Sequence, residues 1–190
     1  MALNLFSNKS KILMSAFVGS DAVFFAFLIT SFVFYHGSSK GRPNPWRDLD
    51  PATTGMYSVA LWASSGTMWL SEQALRRKNP RRVRRWLELT FVLGALFILG
   101  QCLEFKGLFS KSIYPRTDLF ATTFFTTTGF HGLHVLIGLV MLLILRGLIA
   151  GGFGREDYQI EGYEAAAYYW HFVDIVWVAI FFILYIWGTR

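Results

Sequence analysis

Apolar residues dominate five long stretches of this 190-residue chain, at about 12–36, 52–75, 86–105, 119–145 and 164–187. Polar and charged residues gather between them. Each stretch matches or exceeds the roughly 20 apolar residues that cross a bilayer as a helix. Backbone groups in hydrocarbon must be satisfied within the segment or in a closed barrel. The pattern therefore predicts an all-α, polytopic membrane protein: a bundle of five transmembrane helices forming one integral membrane domain over 1–190. The first stretch is too long and too aromatic for a signal h-region and lacks an A-x-A cleavage site, so a retained helix is expected.

The connectors are short. The first, GSSKGRPNPWRDLDPATTG, is rich in turn formers and carries Trp46. Trp46, Trp62 and Trp69 are expected as interface or packing anchors. The second connector is brief enough to make spans two and three antiparallel neighbours. The third ends in Thr117 and Asp118, an N-cap for the fourth helix. The fourth is glycine-rich and holds Glu156, Asp157 and Glu161. No internal repeat is evident. Gly94, Ala95 and Gly100 in span three, and Gly129, Gly132 and Gly138 in span four, predict close helix contacts, since association in lipid rests on packing.

Composition agrees with this reading: 54% of residues are hydrophobic, 18% aromatic and only 16% charged. The net charge of +6 does not indicate a nucleic-acid partner, because seven of the 18 Lys and Arg residues lie in one connector, RRKNPRRVRR at 76–85. That run is expected to set topology and meet lipid headgroups. The connectors sharing its side hold most of the basic residues. The positive-inside rule then places the N-terminus in the cytoplasm and the C-terminus outside. A single cysteine, Cys102, rules out an internal disulfide and a multi-cysteine metal site; it is expected as a small packing residue.

The informative residues are ionisable groups at membrane depth, which are costly and by default mark function. Asp21 lies near the middle of span one: either a neutral carboxyl bonding to a neighbouring helix or a proton-associated or lipid-associated carboxyl beside a cavity. His131 and His134 are three apart and share a face; interhelical hydrogen bonding is favoured over metal or haem ligation. Thr122, Thr123, Thr126, Thr127 and Thr128 are expected to bond back to their own helix. His171 and Asp174 are also three apart and form a structural polar seam, with Glu164 at the start of that helix. Glu72 and Glu104 lie near span ends, where solvation accounts for them.

Two longer motifs carry a resemblance. EAAAYYWHFVDIVW, with Glu164, His171 and Asp174, and TTGFHGLHVLIG at 127–138 resemble the signatures of subunit III of the haem–copper terminal oxidases, a family including cytochrome c oxidase and quinol oxidases. GSDAVFF at 19–25 and GQCLEF at 100–105 are similar to two further family motifs. The match spans about 12–188 and fits the short five-helix bacterial form. It implies a non-catalytic subunit without metal or cofactor of its own, packed on catalytic subunit I and near subunit II, with haem and copper in its partners. It further implies bound phospholipid, support for proton uptake and enzyme lifetime, and a bacterial inner-membrane location. The complex would reduce dioxygen to water with proton pumping. Asp21 matches the family's buried glutamate, one methylene shorter. Glu104, His131, His134, Glu164, His171 and Asp174 fall on motif positions. Ser71-Glu72 and 158–161 depart from the family, which has histidines there, so headgroup contacts do not carry over. The electron donor, cytochrome c or quinol, lies on other subunits.

Three other readings stand beside it. An accessory protein of nitric-oxide reductase would share the fold. A small haem- or quinone-binding cytochrome would use His131 or His171 as ligands. A solute carrier is disfavoured by the absence of repeats.

Overall fold

A computed structural model describes residues 2–38, 51–116, 119–150 and 157–188, with the backbone alone for 2–11, 36–38, 120, 150 and 157–161. Five long helices make up the described residues: α1 Ala2–Ser38, α2 Pro51–Arg76, α3 Pro80–Ser110, α4 Leu119–Ala150 and α5 Asp157–Phe181, the last continued by a π-helical stretch, Phe182–Trp187. The expected bundle is present. Trp46, the Thr117–Asp118 cap, the side chain of His36 and the acidic side chains of 156–161 lie outside the described residues.

Helix ends run beyond the apolar stretches for local reasons. Pro80 opens α3, with its fixed φ suited to the first helical turn. Asn79 caps that turn, its side chain accepting from the Arg82 N–H at 3.2 Å. Lys78 takes the left-handed region (φ 52°), and the Lys78 and Asn79 N–H groups close α2 by donating to Leu75 and Ala74. The reversal between α2 and α3 thus takes three residues, 77–79, and these helices share the most extensive interface in the bundle. α5 begins at Asp157, ahead of the expected Glu164.

Among the described residues, four segments, Ile12–Tyr35, Pro80–Ser110, Ala121–Ile149 and Gly162–Trp187, are long and apolar enough to cross a membrane. α2 is not among them, although its 26 residues extend about 39 Å at 1.5 Å each. Its polar residues explain the difference. Thr54, Ser58, Ser64, Thr67 and Ser71 are buried on one face of α2, so the helix spends its polarity inside the bundle and presents Met56, Val59 and Trp69 outward.

Thr54, Thr67 and Ser71 of that face bond to Glu104, Thr90 and the Val83 carbonyl of α3, while Ser58 and Ser64 meet α5. Tyr163, Trp170, Trp177 and Leu184 recur every seven residues and are all buried. The Trp170 indole N–H donates to Ser64 Oγ at 3.0 Å and the Trp177 N–H to Ser58 Oγ at 2.9 Å. Trp170 is also clamped from two other helices. A methyl on Gly94 of α3 would lie 2.7 Å from Trp170 Cη2, and one on Gly138 of α4 would lie 2.8 Å from its Cε3. The indole fills the space that those glycines leave open. Removing a serine acceptor strands a buried indole donor, so Ser64→Ala is expected to destabilise the chain by about 1–3 kcal/mol; thermal unfolding in detergent measures it.

Cys102 departs from expectation: it is exposed on the outer face of α3. Its neighbour Gln101 takes the inward position and donates to the Thr128 carbonyl of α4 at 2.6 Å.

Candidate functional site

The polar residues predicted from the sequence separate into three groups around α5. On the α1–α4 side, Asp21 faces His134, with Asp21 Oδ2 3.5 Å from His134 Nε2 and both side chains largely buried. Asp21 stands near the middle of Ile12–Tyr35, and His134 near the middle of Ala121–Ile149. The contact is at ion-pair distance without hydrogen-bond geometry, and Oδ2 has no hydrogen-bond partner among the described residues. Tyr169 closes the third side, donating its hydroxyl to the His134 carbonyl at 3.1 Å. Phe25 packs edge-on against the imidazole, centroids 5.0 Å apart.

His134 Nδ1 lies 2.7 Å from the Phe130 carbonyl. A carbonyl only accepts, so Nδ1 carries hydrogen, and Nε2 is the ring nitrogen turned toward Asp21.

His131, one turn earlier, has a different setting. It is fully buried and neither ring nitrogen has a hydrogen-bond partner among the described residues. The imidazole stacks on Trp177 (4.8 Å, 25°) and is flanked edge-on by Phe97 and Phe25. The interhelical hydrogen bonding expected of it is absent, and it packs as an aromatic ring. Thr127, one turn before, is likewise buried, its hydroxyl without a partner among the described residues, whereas Thr123 and Thr128 bond back to Leu119 and Phe124 as expected.

The second group lies on the α2–α5 side. His171 Nδ1 is 3.2 Å from Ser65 Oγ, and its Nε2 is 3.9 Å from Glu72 Oε2. Asp174 is buried one turn further on, and its Oδ1 has no hydrogen-bond partner among the described residues. His171 and Asp174 share a face of α5 and interact electrostatically, while the closest polar contacts of His171 are with α2.

The third group forms around Glu104, where the sequence suggested simple solvation. Glu104 Oε1 accepts from Thr54 Oγ1 and Oε2 from Tyr185 OH, each at 2.8 Å. The carboxylate thereby ties α3 to α2 and to the π-helical stretch; such stretches are frequent at functional positions. Thr54, Gln101, Glu104 and Trp177 also line a cavity of about 300 Å³ between α2 and α3. Glu164 is half-buried near the start of Gly162–Trp187. Among the described residues, no three His, Cys, Asp or Glu side chains converge as a metal site would require.

Sequence reasoning missed Ser58, Ser64 and Ser65 of α2 and the indoles of α5. A serine every six or seven residues, facing aromatics every seven, was the available signal.

Comparison with known proteins agrees with this arrangement. The family model for cytochrome c oxidase subunit III matches residues 7–189. The chain is 32% identical over 173 residues to cytochrome c oxidase subunit 3 of Synechocystis sp., covering 90% of this chain and 72% of that protein. It is 34% identical over 170 residues to the probable cytochrome c oxidase subunit 3 of Mycobacterium bovis, covering 88% and 83%. It is 31% identical over 172 residues to the subunit 3 protein of Thermostichus vulcanus, covering 90% and 83%. With its membrane-length helices and this coverage, the chain belongs to the cytochrome c oxidase subunit III family.

Proposed function

We propose that this chain is the non-catalytic subunit III of a respiratory haem–copper oxidase that reduces dioxygen to water and pumps protons. In this reading it forms one integral membrane domain in the bacterial inner membrane, with the N-terminus in the cytoplasm. It packs against catalytic subunit I beside subunit II, binds phospholipid, and supports proton uptake and a long active lifetime. The haem and copper belong to the partner subunits.

The observation that carries this reading is the Asp21–His134 pair. Two ionisable side chains face one another near the middle of their membrane-length helices. Retaining such groups at that depth is costly, by about 2.5–3.5 kcal/mol for a central Asp on insertion scales. A proton-associated role accounts for their presence. The histidines also support a chain without haem: His131 is stacked among aromatic rings and His134 is engaged with Asp21.

The test is recovery of a tagged chain from gently solubilised membranes. A much larger haem–copper subunit is expected to accompany it, and the complex should consume dioxygen. Recovery of the chain alone would contradict the proposal. Recovery with a subunit that reduces nitric oxide instead would assign the chain to the related reductase.

A further inference from the structure

We propose that the outer face shared by α2 and α5 seats a transmembrane helix of a larger, different subunit, which packs on Trp69 and Tyr168 and sets hydrogen-bond donors against Glu72. This rests on the reading of the chain as one subunit of an oxidase complex, and it names the face that meets the larger subunit.

The face is a groove between two lines of side chains. On α2, Trp62, Ser65, Trp69 and Glu72 follow one another at spacings of three, four and three. On α5, Tyr168, His171, Ile175 and Val178 repeat the same spacing. An alternation of three and four keeps residues on one seam of a helix, the pattern by which helices pack side by side. All these positions are exposed or half-buried. The two lines adjoin, with His171 Nδ1 3.2 Å from Ser65 Oγ and Nε2 3.9 Å from Glu72 Oε2. Each line advances about 15 Å, or nearly three turns, at 1.5 Å per residue.

The outer lines of α3 and α4 have a different chemistry. Leu89, Val92, Leu96, Leu99 and Leu103 are exposed along α3, and Leu133, Ile137, Val140, Ile144 and Leu148 along α4. These are aliphatic throughout and suit lipid tails. Ionisable side chains at membrane depth almost always face a bundle interior or a water-filled cavity. His171, about 14 Å into Gly162–Trp187, is nevertheless 32% exposed, beside Glu72 at 24%. The outside of this chain at the groove is therefore the inside of a larger bundle.

The aromatic rings and the charge select the occupant. Trp62 stands midway along α2, too deep for the aromatic belt at the headgroups. Trp69 and Tyr168 are 54% and 51% exposed, and rings of this kind anchor protein interfaces. Among the described residues the ion-pair contact of Glu72 is His171, and Asp174 adds a second carboxyl one turn beyond it. The groove is acidic overall and complements a helix bearing Arg, Lys or amide donors. A second copy of this chain would bring the same acidic groove against itself.

The experiment places a photo-crosslinking amino acid at Trp69, Tyr168, Leu99 or Val140 of the full chain and irradiates native membranes before the complex is purified. Trp69 and Tyr168 are expected to give adducts with the larger subunit, and Leu99 and Val140 with lipid alone. In parallel, Trp69→Ala should weaken retention of the larger subunit by about 30-fold, a hot-spot loss. Thermal unfolding of the full chain in detergent should not change, because half of that ring lies outside the bundle. Adducts with the larger subunit from Leu99 or Val140 and none from the groove would overturn the proposal and leave the oxidase-subunit reading standing. Groove adducts with lipid or with a second copy of this chain would overturn it equally. Absence of any larger subunit would remove both.

Discussion

Replacing Trp170 by alanine is expected to destabilise the chain by about 3–5 kcal/mol, the range for emptying a buried aromatic position. The indole is a joint between three helices. It fills the gaps left by Gly94 of α3 and Gly138 of α4, and its N–H is satisfied by Ser64 of α2. Truncation therefore opens a cavity and removes packing that lipid cannot replace, because helix association in the membrane rests on such close contact. Thermal unfolding in detergent and the yield of the assembled complex both report it. A control isolates the cause. Adding methyls back, as Gly94→Ala with Gly138→Ala in the Trp170→Ala background, should restore part of the loss. The same two changes in the parent chain should cost about 1–3 kcal/mol through overpacking. Additive losses in all backgrounds would mean that the glycines and the indole do not share this space.

The second large effect concerns Asp21 and appears in function more than in stability. Asp21→Asn is expected to keep the fold within about 0.5 kcal/mol, because the amide N–H₂ can donate to the lone pair of His134 Nε2. The group able to take up and release a proton at this position is lost with the carboxyl. An oxidase complex carrying this variant should assemble and begin turnover normally, then inactivate severalfold sooner over repeated cycles. Asp21→Ala should show the same shortened lifetime and an added stability cost of about 1–3 kcal/mol, because Nε2 loses its neighbour. Continuous oxygen consumption over many turnovers is the measurement. An unchanged lifetime in Asp21→Asn would remove the functional role assigned to the pair.

Helix number and approximate position were legible because hydrophobic runs of this length allow almost no other structure in a membrane. Tertiary partners were not. Spacing placed His131 and His134 on one face, yet a single helical turn separates an aromatic cage from a carboxylate partner. That outcome depends on Phe25, Phe97 and Trp177 arriving from three other helices. Glu104 read as a solvated end residue because Thr54 and Tyr185, which hold it, are distant in the chain and Tyr185 lies in a π-helical stretch. Cys102 read as packing because composition cannot say whether it or Gln101 turns inward. The polarity of α2 makes sense only beside the indoles of α5 and the polar partners on α3. Glycine spacing was more informative. Gly94 and Gly138 were expected at close contacts and bracket Trp170, while Gly129 has open space beside it.

The central claim is that the imidazoles and carboxyls inside this bundle are held by neighbouring helices and bind neither iron nor copper. Metal and haem content per polypeptide, measured on the purified full chain together with its visible spectrum, tests this most directly. The account predicts no stoichiometric metal and no haem absorbance. A b-type spectrum at one haem per chain, abolished by replacing His131 or His171, would contradict it.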